Sequence, residues 1–455
     1  MFLYDTSLFI FRRDLRLDDN TALNAALSVS RHVIPCFIFD PRQIEPHPYQ
    51  SQTGLVALLD AVEHLQKQLA AMGGELALYA GIPEQILKQI HQHHPIQAVF
   101  CNRDYTPFSR QRDVALAETC QELRISLHYS ADALLNEPEH VLKKDKTPYQ
   151  VFTAFYNCSK QLPVALPQAL CHQNFLTPIP RLETTCLALP QKPLNLVFNA
   201  NRDGALAILS TMTHYRNYAQ TRDFPACQGN TGLSLHLKFG TCSIREAFYA
   251  ITEHLGCEHP LLRQLYWRDF FTQIAFHFPS VFGRSFNEKF VNLTWDNNRD
   301  YFNAWREGRT GFPIVDAGMR ELKQTGFMHN RVRMIVASFL VKDLHIDWRW
   351  GERYFAQQLV DYDPCVNNGN WQWAASTGCD AQPYFRIFNP WLQQQKFDAD
   401  GVYLYQWVPE LKRYPVKIIH EWHKMHQGND YPAPIVDHAI ESKKSQLQYK
   451  HSASL

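Results

Sequence analysis

The sequence predicts two parts: an N-terminal α/β domain with a doubly wound parallel sheet, and a larger all-α C-terminal domain. Short apolar runs of strand length alternate with helix-like segments through the first part. After residue 200 the apolar residues recur at helical spacing, and no series of strands interrupts them.

The strands are SLFIF (Ser7 to Phe11), VIPCFIF (Val33 to Phe39), ELALYA (Glu75 to Ala80), QAVFC (Gln97 to Cys101) and ISLHYS (Ile125 to Ser130). Between them lie GLVALLDAVEHLQKQLAAMG and PEQILKQIHQHH, which read as helices. The turn after the first strand is FRRDLRLDDN, Phe11 to Asn20, and it has no GxGxxG, so dinucleotide binding in the usual phosphate-cradling manner is not supported. This domain takes residues 1–134. Residues 135–200 are rich in Pro, Thr, Gln and Leu without periodicity, as in NFLTPIPRLETTCLALPQKPLN, and read as a connector across the surface. Residues 201–455 carry the helical segments DGALAILSTMTHYRNYAQTRD, SIREAFYAITEHL, PLLRQLYWRDFFTQIAFHF and NRVRMIVASFLVKDL. The tail after Asp437, ending KKSQLQYKHSASL, reads as polar and frayed.

At 455 residues and 45% hydrophobic, the chain can bury sizeable cores. Lys plus Arg is 45 against 44 for Asp plus Glu, so an anionic partner needs a local basic patch; nucleic acid is neither implied nor excluded. The 11 cysteines form no CxxC pair and no zinc-ligand spacing, and no charged head precedes an apolar run, which points to reduced thiols in a cytoplasmic protein. No run of 18 apolar residues suggests a membrane span. The 10 tryptophans suit stacking functions or large cores.

Four helical-domain segments carry polar groups that a packed bundle does not require. In GNTGLSLHLKFG (Gly229 to Gly240), hydroxyls and glycines suit either a phosphate-binding turn or a plain helix N-cap. In RQLYWRDFF, Gln264, Trp267, Arg268 and Phe271 share a helical side; this stripe is either core or the wall of a half-open cleft, where Arg268 could stay solvated. In GFMHNRVRM, Asn330, Arg331, Arg333 and Met334 combine anion contacts with a soft apolar surface, or form a solvated basic face. DYDPCVNNGNWQWAAS, Asp361 to Ser376, shows no nucleophile, base and orienter set. Its carboxylates, carboxamides and indoles suit the edge and faces of a flat heteroaromatic ligand, although NNGN alone would also fit a turn.

FRRDLRLDDN, TGLSLHLKFG, YWRDF, GFPIVDAGMREL, MHNRVRM, DWRWGERYF, NNGNWQWAASTG and PYFRIFNP occur in this order, from Leu8 to about Trp422. Together they resemble the cryptochrome/photolyase family, and within it most closely the class I cyclobutane pyrimidine dimer enzymes. The resemblance implies FAD in the helical domain and an antenna chromophore on the α/β domain. It implies FAD contacts from Tyr218, Thr231, Gly232, Leu233 and Ser234, with Asn230 standing where Thr is usual. It also implies an ion pair of Arg333 with Asp361 beside the flavin, a further ring contact from Asp363, and Asn367 facing flavin N5. Trp371, Trp348 and Trp295 match an electron-relay chain.

The implied activity is light-dependent splitting of cyclobutane pyrimidine dimers in UV-damaged DNA, by an electron from photoexcited reduced FAD. Asn367 matches the repair-type partner of N5. Asn330 and Met334 occupy the positions where (6-4) photoproduct enzymes place histidines. Gln264 departs from the Glu of the dimer enzymes, which implies the same substrate with lower efficiency. A flipped dimer would sit between Trp267 and Trp373, with Asn330 and Met334 beneath it. Arg268 is a further candidate lesion contact, and Arg222, Arg331 and Arg386 are expected on DNA phosphates.

Folate-binding relatives resemble one another in an Asn-Glu pair where this chain has Phe108 and Ser109. The antenna is therefore expected to be 8-hydroxy-5-deazaflavin or FMN rather than a folate, with Asp104 as a contact. The alternative function is a blue-light-sensing cryptochrome that signals through a protein partner. Such sensors usually carry a long variable C-terminal extension, and only a short stretch follows the last motif here. The protein is expected to be a monomer with no metal.

Overall fold

The computed structural model describes residues 2–182, 198–227, 229–425 and 430–454. These fall into two compact units, one built from Met1–Tyr149, Thr153–His214 and Gly232–His277, the other from Gln150–Phe152, Tyr215–Thr231 and Phe278–Leu455.

The first unit holds a five-stranded parallel sheet of β1 (Tyr4–Phe11), β2 (Ser30–Phe39), β3 (Ala77–Ala80), β4 (Ala98–Asn102) and β5 (Ser126–Ser130), in the order β3-β2-β1-β4-β5. Each expected strand is present. Helices cover a parallel sheet on both faces, so its strands read as continuous apolar runs. Accordingly Leu8, Ile10, Ile34, Cys36, Val99 and Cys101 lie in one buried core. β2 begins earlier than its apolar run because Ser30 and His32 pair with Tyr4 and Thr6 through the backbone, which polar side chains do not reveal. Asn20, Ser51 and Thr106 cap the helices that follow them, each accepting a backbone N–H.

The glycine-free turn after β1 is filled by buried charge. Arg16 donates to both oxygens of Asp132 at 2.8 and 2.7 Å, and Arg245 pairs with Asp132 at 2.7 Å and Asp19 at 2.9 Å. Arg245 belongs to the helix Ile244–Leu255, which this network ties to the sheet's unit. Such a network is hard to alter piecemeal, because removing one partner leaves a buried charge uncompensated. Of the expected connector, Phe175 makes a parallel bridge to Val33, and Tyr79 donates its hydroxyl to the Pro180 carbonyl at 2.7 Å. The rest of it, residues 183–197, lies outside the described residues.

In the second unit the helices Pro313–Thr325, Asn330–Lys342, Trp348–Gln358 and Pro364–Ala374 surround a core that includes Trp305, Phe339, Leu340, Phe355, Trp371, Trp391 and Trp422. The C-terminal tail corrects the sequence expectation: His438–Ser454 is a helix, not a frayed end. Its apolar anchor is Tyr449, fully buried against Phe290, with its hydroxyl on the Ala375 carbonyl at 2.6 Å. Lys444 pairs with Asp296, and His438 with Asp343. One aromatic and a few ion pairs hold a helix whose sequence carries no apolar stripe.

Candidate functional site

The stretch Asp361 to Ser376 is helical from Pro364 to Ala374, so NNGN is not a turn. Asp363 caps it, accepting the Val366 N–H at 3.0 Å, and Pro364 fills the first helical position, where no N–H is needed. Residues four apart share a helix side, which divides the polar groups between two tasks. Asn368 and Gln372 both donate to the Val281 carbonyl at 3.0 Å, and Gln372 accepts the Phe286 N–H at 2.8 Å; this side pins a neighbouring segment. Asn367 and Trp371 form another side, both nearly buried.

The Asn367 carboxamide nitrogen donates to the Glu352 carbonyl at 3.1 Å and to its carboxylate at 3.3 Å. Its oxygen takes no hydrogen bond among the described residues and remains an available acceptor. Arg333 donates through one nitrogen to both Asp361 oxygens at 3.1 Å and through Nε to the Met328 carbonyl at 2.7 Å. The Asp361 side chain is only 3% exposed, so the pair presents a fixed cation and anion with little competing water.

The helix Asn330–Lys342 carries Asn330, Arg331, Arg333 and Met334. His329 caps it, its Nδ1 accepting the Arg331 N–H at 3.1 Å. Burial lowers the His329 pKa to about 4, which keeps that nitrogen free to accept. Asn330 and Met334 sit one turn apart, the amide nitrogen 3.8 Å from the thioether sulfur. Arg331 is held by Asp223 at 2.8 Å and lies over the Phe397 ring; Arg222 lies 3.8 Å from the same carboxylate and over Tyr218. Sequence reasoning missed Asp223, whose position between two expected DNA-contacting arginines has no sequence signature. Arg386 is exposed, and Trp373 is partly buried against the core.

The three expected relay tryptophans stand on segments that hydrogen-bond or pack against one another. Trp295 precedes Asp296, whose N–H donates to the His345 carbonyl at 2.9 Å, while Asn297 accepts the Asp347 N–H at 2.9 Å. Asp347 caps the helix that Trp348 opens. One turn later Gly351 receives the Trp371 indole. Trp348 and Trp371 are 1% and 2% exposed, and neither indole N–H has a partner among the described residues.

In the first unit, Gly232 takes φ +73° at the start of the helix Leu233–Phe239, a conformation that favours glycine. Leu233 is buried and Ser234 exposed on its first turn; Thr231, partly buried, closes a piece of the second unit that also contains the buried Tyr218. Gln264, Trp267 and Arg268 lie on the helix Leu262–His277, with Trp267 tilted on Phe271 at 5.4 Å. Arg268 is largely spent on backbone, donating to the Ala133 carbonyl at 2.5 Å and the Leu237 carbonyl at 3.4 Å. Next to it, burial pushes the Asp269 carboxyl up to about 7 against the pull of Arg268.

Ligands of doubly wound sheets bind beyond the strand carboxyl ends where the strand order reverses, here between β1 and β4. Arg12 and Arg13 follow β1, and Asp104 follows β4. Asp104 accepts the Ser109 hydroxyl at 2.8 Å and lies 3.6 Å from Arg13; burial would raise its pKa, but Arg13 and Arg112 hold it low. Arg112 is 6% exposed, and its Nη2 has no partner among the described residues.

Comparison with known proteins gives a consistent result. A family model described as the FAD binding domain of DNA photolyase matches residues 261–451, and one described as DNA photolyase matches residues 7–172. The deoxyribodipyrimidine photo-lyase of Alkalihalophilus pseudofirmus is 38% identical, over 97% of this chain and 97% of its own. The archaeal photolyase from Sulfolobus tokodaii, solved with two FAD molecules, is 41% identical with a TM-score of 0.86, covering 98% of this chain and 100% of that one. A Synechocystis cryptochrome is 30% identical with a TM-score of 0.89, covering 98% and 99%.

Proposed function

The chain belongs to the DNA photolyase family, and from that premise we infer that it is a light-dependent DNA repair enzyme, a deoxyribodipyrimidine photolyase that binds FAD. The observation that carries this reading is the likeness, along almost the entire chain, to an enzyme of that name. The fold is shared with a cryptochrome, but at lower identity, so fold alone does not separate repair from sensing.

The side chains suit FAD. Asn367 offers an acceptor that takes no hydrogen bond among the described residues, Arg333 and Asp361 offer both charges at fixed positions, and Tyr218, Thr231, Gly232, Leu233 and Ser234 are the contacts we assign to its phosphates and ribose. Held there by these residues in its reduced form, FAD would supply light-driven electron transfer to the lesion. The chain's part is to hold, orient and exclude water. Trp371, Trp348 and Trp295 are assigned as the relay for reducing the resting protein. A buried indole without an acceptor keeps its N–H proton when it loses an electron, so the positive charge can pass to the next indole.

We assign the lesion to Gln264, Trp267, Asn330, Met334 and Trp373, with Arg268 acting through the loop carbonyl it holds. Neither Asn330 nor Met334 can donate a proton in catalysis, which favours the cyclobutane dimer over the (6-4) photoproduct. Extrusion of a damaged base is a strategy general to photolyases, and a lesion that already disturbs stacking is cheaper to extrude. Arg222, Arg331 and Arg386 are assigned to DNA phosphates.

A second chromophore, 8-hydroxy-5-deazaflavin or FMN, is assigned to the carboxyl ends of β1 and β4, where Asp104 and the Arg112 nitrogen that lacks a partner among the described residues would suit polar or anionic groups. The two FAD molecules of the Sulfolobus protein support a flavin-type antenna. The division we propose is residues 1–134 for the antenna, 135–200 as connector and 201–455 for FAD and DNA. No described helix is long and apolar enough to cross a membrane. A cytoplasmic monomer is part of the proposed reading. Stoichiometric FAD in the purified protein tests the cofactor, and a colourless protein that takes up none on reconstitution would overturn the entire reading.

A further inference from the structure

We propose that Glu352 is a positioning residue that fixes which end of the Asn367 carboxamide faces the flavin, and so favours the state of the ring protonated at N5. This rests on the reading of Asn367 as the partner of N5. A carboxamide is a donor at one end and an acceptor at the other, and an unheld one presents whichever end its neighbour prefers. Here both N–H groups of Asn367 are taken on one residue, by the Glu352 carbonyl at 3.1 Å and its carboxylate at 3.3 Å. Glu352 is 4% exposed and Asn367 9%, so water competes weakly for either. The end left over is the oxygen.

Facing an oxidised ring, whose N5 is an unprotonated acceptor, the Asn367 oxygen would set lone pair against lone pair; facing a ring with N5–H, it would accept a hydrogen bond. The preference lies in Glu352 accepting at both contacts: a glutamine there could donate to the Asn367 oxygen and let the amide turn over. Glu352 also lies on the helix that carries Trp348 and receives Trp371, so a single rigid element positions the relay and the redox-tuning amide.

The test is a double-mutant cycle on holoenzyme, reading flavin spectra at one fixed potential in the dark without DNA. In E352Q, the ratio of N5-protonated to oxidised flavin is expected to fall about fivefold, the size of one net hydrogen bond, with FAD affinity little changed. N367D sets a second carboxyl against that of Glu352; the proton such a pair takes up lets residue 367 donate to an unprotonated N5, so the ratio is expected to fall further. In the double variant N367D/E352Q, the new amide can donate to the new carboxylate, so the ratio should recover above that of N367D. Should E352Q hold no FAD, E352D keeps the carboxyl but withdraws it by one methylene, and the expected fall is smaller in the same direction. Unchanged ratios in the Glu352 variants, or effects in the cycle that simply add, overturn the inference. Wild-type protein that binds no FAD overturns the functional reading instead, and is recognised before any variant is made.

Discussion

A Cβ on Gly351 would lie 2.2 Å from Cη2 of Trp371, so the bare Cα at residue 351 is what lets this indole rest against the helix Trp348–Gln358. The same Cβ would meet Leu340 Cδ2 at 2.5 Å. Both neighbours are buried and neither can yield freely. Alanine is the better helix former, by about 1 kcal/mol. Overpacking outweighs this, and Gly351→Ala should destabilise the protein by about 1–3 kcal/mol, read as a lower urea midpoint with unchanged m. Displacing Trp371 should also slow photoreduction of oxidised FAD. A variant as stable as wild type would show that the indole has room to move.

Trp295→Phe should slow photoreduction with an external donor, because phenylalanine is much harder to oxidise. Repair by enzyme already reduced chemically should be unaffected. Trp295 is only partly buried and stands edge-on to Tyr449 at 6.4 Å, which suits the outer end of the relay. Photoreduction at the wild-type rate would refute its assignment.

Asp269 gives a pH signature. Burial lifts its folded-state pKa from 3.8 to about 7, with Arg268 and the Leu135 and Asn136 N–H groups opposing. Between those values the folded protein binds a proton that the unfolded chain does not. Stability from this group is therefore complete below the lower value and is lost as pH rises through the upper one. Asp269→Asn should flatten that part of the stability profile, measured by urea midpoints at pH 5 and pH 8; an equally steep fall in the variant would contradict it.

Asp223 holds Arg331 at 2.8 Å, so under the proposed assignment of Arg331 to DNA phosphate it would compete with DNA for that side chain. Asp223→Asn should tighten binding to UV-irradiated oligonucleotide at low salt and steepen its salt dependence, since Arg331 is then free to displace a counterion. Weaker binding in filter or anisotropy titrations would mean that Asp223 orients Arg331 for DNA.

Much of this was legible in the sequence. The strands announced themselves because a sheet covered on both faces needs apolar residues throughout, as in VIPCFIF. The ordered motifs placed Arg333 with Asp361, which the structure pairs. Other features left no one-dimensional trace. Helical periodicity marks the helix Ile244–Leu255 but does not say that Arg245 joins it to the unit containing the sheet. KKSQLQYKHSASL lacks an apolar stripe because a single tyrosine anchors its helix. In DWRWGERYF, Glu352 reads as an ordinary helix-surface charge, and only its burial against Asn367 gives it a role.

The lesion is the most direct test. Gln264 departs from the Glu expected of a dimer enzyme, whereas Asn330 and Met334 point to the cyclobutane dimer; the latter weigh more because the (6-4) reaction needs a proton donor that neither supplies. The measurement is turnover by photoreduced protein under near-ultraviolet light, on two oligonucleotides that differ only in which lesion they carry. The prediction is loss of cyclobutane dimers and no loss of (6-4) photoproducts, with Gln264→Glu preserving or raising the dimer rate. Repair of (6-4) photoproducts without dimer repair would contradict the substrate assignment, and an FAD-replete protein that repairs neither would contradict repair itself.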